Sequence, residues 1–132
     1  MDAMHIVLAT TALLGLELVV LGGLIVRQRY ALRVSLGEGD GSAAHEPLRV
    51  AVRCHGNFIE YVPLSLLLLS GIAWAGAPLA LVATLCGALL LARLAHPFGM
   101  YRPAPNLLRG GGIILTWAII AVAAVTALAL MA

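Results

Sequence analysis

Residues 113–132 form a run of 20 residues without a single charge. At about 1.5 Å of rise per helical residue this run spans roughly 30 Å, the thickness of a bilayer's hydrocarbon core. Residues 6–26 form a comparable run of 21, interrupted only by Glu17. In lipid, every backbone amide must be satisfied within its own segment, so such runs are helices. The rest of the chain agrees, with 62% hydrophobic residues, 11% charged residues and a mean hydropathy of +1.03 over 132 residues. A water-soluble domain of that length has no interior large enough to hide so much apolar surface.

Two further spans lie between these runs. One starts polar near Leu48, carries Arg49, Arg53, Asn57 and Glu60, and is apolar over residues 61–74 apart from Ser65 and Ser70. Residues 71–78, with Gly76 and Pro78 as breakers, suit a tight turn between antiparallel helices. The third span covers residues 78–92 and continues through Arg93 to His96. Pro97, Pro103 and Pro105, then Gly110, Gly111 and Gly112, separate it from the fourth. The expected fold is all-α: one integral membrane four-helix bundle over residues 1–132, with no repeat and no second domain. Asp2 precedes the first span and Arg27, Arg29 and Arg33 follow it, the reverse of a cleavable leader, so that span is expected to be retained. The insert at residues 37–42 has the composition of a mobile connection.

All eight basic residues are Arg. They sit in or beside the first loop (Arg27, Arg29, Arg33, Arg49, Arg53) or the second long loop (Arg93, Arg102, Arg109). By the positive-inside rule both loops face the cytoplasm and both termini face the other side. A net charge of +2 is too small and too scattered for nucleic-acid binding. Cys54 and Cys86 lie in apolar surroundings that indicate packing rather than a disulfide or redox centre. Cys54 and His55 are neighbours pointing about 100° apart on a helix. His5, His45 and His96 fall on different segments, so no metal site is expected. Phosphate loops and nucleophile elbows are also missing from the sequence.

Arg53, Asn57 and Glu60 follow i, i+4, i+7 spacing and therefore share one helix face, extended outward by Arg49. Arg93 and His96 share a face of the third helix, with Tyr101 and Arg102 just beyond and Arg109 before the fourth span. Guanidinium forks grip carboxylates bidentately and a carboxylate grips an ammonium, so this set suits a small ligand bearing both. Ionisable groups at membrane depth are costly and point to function. The competing explanation is structural: Arg–Glu pairing that holds helices together, with Tyr101 and Arg102 as ordinary interfacial anchors. For Glu17, near the middle of the first helix, packing and site membership both stay open.

The run Arg49-Val-Ala-Val-Arg53-Cys-His-Gly-Asn57-Phe-Ile-Glu60-Tyr61-Val-Pro63 resembles the second-helix signature of the MAPEG family, membrane-associated proteins in eicosanoid and glutathione metabolism. Arg93-Leu-Ala-His96-Pro-Phe-Gly-Met-Tyr101-Arg102 and the Arg33-Val-Ser after the first span are similar to that family too, and the chain looks most like its bacterial members. The resemblance implies a homotrimer of four-helix subunits in the inner membrane, with glutathione as co-substrate held between subunits near the cytoplasmic face. Ala118, Ala121, Ala124 and Gly22 permit the close helix approach that such an assembly needs. By matched position, Arg53, Asn57, Glu60 and Tyr61 would hold the tripeptide, with Glu60 on its ammonium and Arg53 on a carboxylate. Arg29, Arg93 and His96 would add contacts. Activation of the thiol would fall to Arg109 or Arg102, with Tyr101 beside them. Met100 stands where the family's enzymes commonly have Tyr.

The implied activity is a glutathione-dependent transferase or peroxidase acting on lipophilic small molecules drawn from membrane lipid. A non-catalytic trimer binding lipid or glutathione is the alternative. A small multidrug transporter using Glu17 is a third reading, but the one-sided arginines argue against dual insertion and leave Arg53, Asn57 and Glu60 without a purpose.

Overall fold

The structure, a computed structural model, describes residues 2–132. It is an all-α bundle of α1 (Ala3–Leu32), α2 (Glu46–Trp74), α3 (Leu79–Met100) and α4 (Leu107–Met131), with a short 3-10 turn at Ala43–His45. All four helices are long and apolar enough to cross a membrane. α1 packs on α2 and α3, and α4 packs on α3 and α2, so the α2/α3 pair forms the centre.

Helix ends follow local chemistry. Asp2 caps α1 by accepting from the His5 backbone N–H at 2.9 Å, and its carboxyl is held below the usual range mainly by that bond, with help from the His5 ring. α1 does not stop at the arginines that bound its apolar run. It continues through Arg27 and Arg29 and ends at Arg33, whose φ of 54° marks a left-handed cap. At 30 and 29 residues, α1 and α2 are each about 45 Å long, well beyond the roughly 30 Å of a hydrocarbon core. Their joined ends therefore project into the polar zone.

The connection after α1 is less loose than its glycines imply. Asp40 accepts from the Ser42 backbone N–H at 2.9 Å and lies 2.6 Å from the His45 ring. These contacts, the Ser42 ones first, hold the Asp40 carboxyl well below the ordinary carboxylate range. Gly39, at φ +89°, lies so close to the His45 ring that a Cβ there would come within 2.4 Å of it.

Two boundaries differ from the sequence expectation. Gly71 is helical and α2 runs to Trp74, so the turn to α3 is only residues 75–78. Gly110, Gly111 and Gly112 do not break the chain: α4 begins at Leu107, and all three lie inside it. Asn106 provides the start, its side-chain oxygen accepting from the Arg109 backbone N–H at 2.9 Å. The glycines serve packing instead. A Cβ on Gly112 would lie 3.0 Å from the Ala92 carbonyl oxygen of α3, and one on Gly99 would lie 2.3 Å from the Arg109 backbone nitrogen.

The core runs along α1, α2 and α3 through Leu14, Leu21, Phe58, Leu69, Val82 and Leu89, with Ile119 and Ala123 from α4. Outward faces are apolar as well: Leu16 and Val19 on α1 and Val125 and Leu128 on α4 are each at least 65% exposed. In a soluble protein such patches would aggregate; here they are the faces that lipid or other membrane helices cover.

Candidate functional site

A cleft of about 390 Å³ opens where α2, α3 and the start of α4 converge. Arg53 and Asn57 line it from α2, His96 and Met100 from α3, and Asn106 and Arg109 from the α4 start. The convergence follows from helix register. Arg53 and Asn57 are one turn apart on α2, and so are His96 and Met100 on α3. The Pro-rich link then folds back, fixed by Asn106, which donates to the Gly99 carbonyl at 2.9 Å while capping α4. Because nothing larger than hydrogen fits at Gly99, the first turn of α4 sits directly on the end of α3.

The cleft is cationic. Arg53 and Arg109 both line it, and no carboxylate does among the described residues. Glu60 is a loose neighbour of Arg53, 3.9 Å away, with both side chains about half exposed. An exposed pair of that kind is worth at most about 1 kcal/mol, so Arg53 is readily available to a ligand. Arg109 lies in the first turn of α4, but its own amide is committed to Asn106, leaving its guanidinium as the group that faces the cleft.

Arg93 is placed differently. It is 2% exposed and does not line the cleft. Its guanidinium donates to Asn57 Oδ1 at 2.8 Å and to the Gly112 carbonyl at 3.2 Å, tying α3 to α2 and α4 from behind. Tyr61 stacks at a tilt on Trp117 of α4, ring centroids 6.3 Å apart. Tyr101 and Arg102 are exposed in the turn after α3 and do not line the cleft. Burial of part of the Tyr101 ring pushes its hydroxyl up from its ordinary value, so it stays protonated at neutral pH.

Arg29 lies elsewhere in the subunit, in a second cleft of about 450 Å³ at the end of α1 that Tyr30, Arg33 and Ser35 also line. One of its guanidinium nitrogens donates to the Gly37 carbonyl at 3.2 Å. Arg49 pairs with Glu46 in the first turn of α2. Of the residues expected at one site, the subunit therefore gathers Arg53, Asn57, His96 and Arg109, with Glu60 on the margin and Arg93 behind. Asn106 and Met100 join them. Asn106 carries a sequence signal, an Asn preceding an apolar run, that marks it as a helix cap. Its second role in holding the cleft depends on tertiary contact.

A four-span membrane bundle with a cationic cleft at one end of its central helix pair is thus the class of protein defined by these features. The chain belongs to the MAPEG family, whose model matches residues 7–129. It is similar to the inner membrane protein YecN of Escherichia coli strain K12, with 36% identity over 94 residues that cover 70% of this chain and 67% of that protein. YecN of Escherichia coli strain CFT073 matches to the same extent. No solved structure matches the chain significantly. Family, relatives and four apolar helices together make it an integral protein of the bacterial inner membrane.

Proposed function

We propose that the protein is a glutathione-dependent transferase or peroxidase that acts on lipophilic electrophiles supplied by the bilayer. The observation that carries this reading is the cleft itself: Arg53, Asn57, His96 and Arg109 converge on one cationic space at the end of a membrane bundle. Glutathione offers two carboxylates, amide carbonyls and an ammonium. Arg53 takes a carboxylate, Asn57 an amide or carboxylate oxygen, and Glu60 at the rim the ammonium. Arg109 is the candidate for stabilising the thiolate, because a cation beside a thiol lowers its pKa from about 8.5 towards neutrality. Arg102 and Tyr101 would need the turn after α3 to move before they could share that role. The site is completed in a homotrimer, where Tyr61, Arg29 and a neighbouring subunit's cleft contribute further contacts.

Titrating purified protein with glutathione, while following thiolate absorbance, tests both halves of the proposal. Arg53→Ala and Glu60→Gln should each weaken binding roughly tenfold or more, the loss of one charge-assisted contact of about 1.5 to 3 kcal/mol. Arg109→Ala should instead raise the thiol pKa while leaving affinity largely intact. Wild-type affinity in both Arg53→Ala and Glu60→Gln would make the α2 stripe structural only.

A non-catalytic binder is favoured by one feature, Met100, which puts a thioether in the cleft where a phenol would serve catalysis. Glutathione that binds with unshifted thiol ionisation would decide for that reading.

Orientation follows from the arginines, which cluster at the end of the bundle bearing the first and second long loops; that end faces the cytoplasm. A reporter active only in the cytoplasm should stay silent when fused after Ala132. Strong activity there would move the cleft to the other side of the membrane.

A further inference from the structure

The second cleft, at the end of α1, has a lining chemistry of its own. Arg29, Tyr30, Arg33 and Ser35 supply its polar groups, and Val26 and Val34 supply an apolar wall. No carboxylate lines it among the described residues, and neither guanidinium takes part in an ion pair there. The bond from Arg29 to the Gly37 carbonyl goes to a neutral group, and Arg29 Nε is buried without a partner. The carbonyls of the last turn are already occupied: that of Arg29 accepts from the Val34 N–H at 3.0 Å and that of Tyr30 from the Arg33 N–H at 3.4 Å. Two uncompensated cations therefore share one concave space beside apolar side chains.

The height of the cleft along the helix says what can reach it. The apolar run of residues 6–26 fills a hydrocarbon core of about 30 Å, so Val26 stands at the edge of that core and the residues after it lie among headgroups. Tyr30 and Leu36 are strongly exposed at this level, as side chains that rest in the interface are. A lipid beside α1 would bring its phosphate to the level of the two guanidiniums and its chains alongside Val26.

We propose that this cleft docks the headgroup of an anionic phospholipid, with the phosphate held between Arg29 and Arg33 and the acyl chains laid along Val26. Guanidinium forks match phosphate oxygens bidentately, and basic groups at this level draw anionic lipid. Selectivity follows from what the lining lacks. A zwitterionic headgroup brings an ammonium for which the cleft offers no carboxylate, whereas a phosphatidylglycerol headgroup brings only hydroxyls. Free phosphate would meet the same guanidiniums but leave the apolar wall bare. The glutathione reading of the other cleft also uses Arg29, so the test is placed on Arg33, which that reading does not use.

Native mass spectrometry of detergent-purified protein, incubated with equal amounts of phosphatidylglycerol and phosphatidylethanolamine of the same acyl chains, reads the preference directly. Wild type should retain phosphatidylglycerol roughly tenfold over phosphatidylethanolamine, the worth of one charge-assisted contact. Arg33→Gln should reduce that preference to about twofold or less, because one arm of the clamp is gone. Arg33 is exposed, so the bundle should fold without its guanidinium, and helical circular dichroism and glutathione affinity should match wild type. Arg27→Gln removes the same charge from the same stretch of chain but outside the cleft, and should keep the preference within about twofold of wild type. Equal losses in the two variants would reduce the effect to general attraction between a basic loop and anionic lipid and overturn the site, as would wild-type protein without a preference. Excess glycerol 3-phosphate should leave the lipid in place; displacement would reassign the cleft to soluble phosphates. Displacement by glutathione would reassign it to the glutathione site. A preference that Arg33→Gln abolishes, in protein that binds no glutathione, would keep the lipid site and reject the proposed function.

Discussion

Arg93→Met should destabilise the protein by about 1 to 3 kcal/mol, the cost of leaving a polar group that Arg93 satisfies without its charged donor. The residue is 2% exposed and serves three helices at once, so its loss is felt across the bundle. Asn57 Oδ1 would lose its donor. The Gly112 carbonyl would suffer less, because it also accepts from the Thr116 hydroxyl at 2.8 Å. The measurement is unfolding in mixed mild and denaturing detergent, followed by helical circular dichroism. Stability of Arg93→Met equal to wild type would show that Arg93 does not tie the three helices together.

The inward turn of Arg93 marks the limit of what the sequence could say. The spans themselves were readable because lipid imposes a length and a composition on every crossing segment. The face shared by Arg53 and Asn57 was readable too, because helix spacing is a local property. Which residues on the third helix look into the cleft, and which look into the bundle, depends on the rotation of α3 against α2. Arg93 and His96 share a helix face and a sequence motif, yet Arg93 turns inward to Asn57 while His96 lines the cleft. Nothing within three or four residues decides that. The bond from Arg93 to Asn57 spans 36 positions of chain, and only the packing of α3 on α2 creates it.

Glycine misled for a related reason. Local propensity makes Gly110, Gly111 and Gly112 a breaker, and in an isolated peptide they would weaken a helix. Here the helix starts earlier because Asn106 caps it, and Gly112 sits where α4 packs closely on α3. A membrane interior removes the competing option of water for the backbone, so glycine can act there as a contact surface without ending the helix. The same reasoning applies to Gly99, which the sequence offers only as the residue after Phe98.

Gly99→Ala should therefore damage both stability and the cleft. A Cβ there would meet the Arg109 nitrogen at 2.3 Å, the Leu108 carbonyl carbon at 2.7 Å and the Arg109 Cα at 2.8 Å, all backbone atoms with no side-chain freedom to yield. The start of α4 must move away from α3, carrying with it the Asn106 cap, its 2.9 Å bond to the Gly99 carbonyl, and Arg109. Forced overpacking of this kind costs about 1 to 3 kcal/mol. Gly87→Ala on the same helix is the control: its Cβ would meet nothing within 4 Å, and alanine's better helix propensity should raise stability by up to about 1 kcal/mol. Detergent unfolding of the two variants should therefore shift in opposite directions. Glutathione titration should show a higher thiol pKa for Gly99→Ala alone, because the displaced element carries Arg109. If Gly99→Ala unfolds like Gly87→Ala and leaves the thiol pKa as in wild type, the close seating of α4 on α3 is not what forms the cleft.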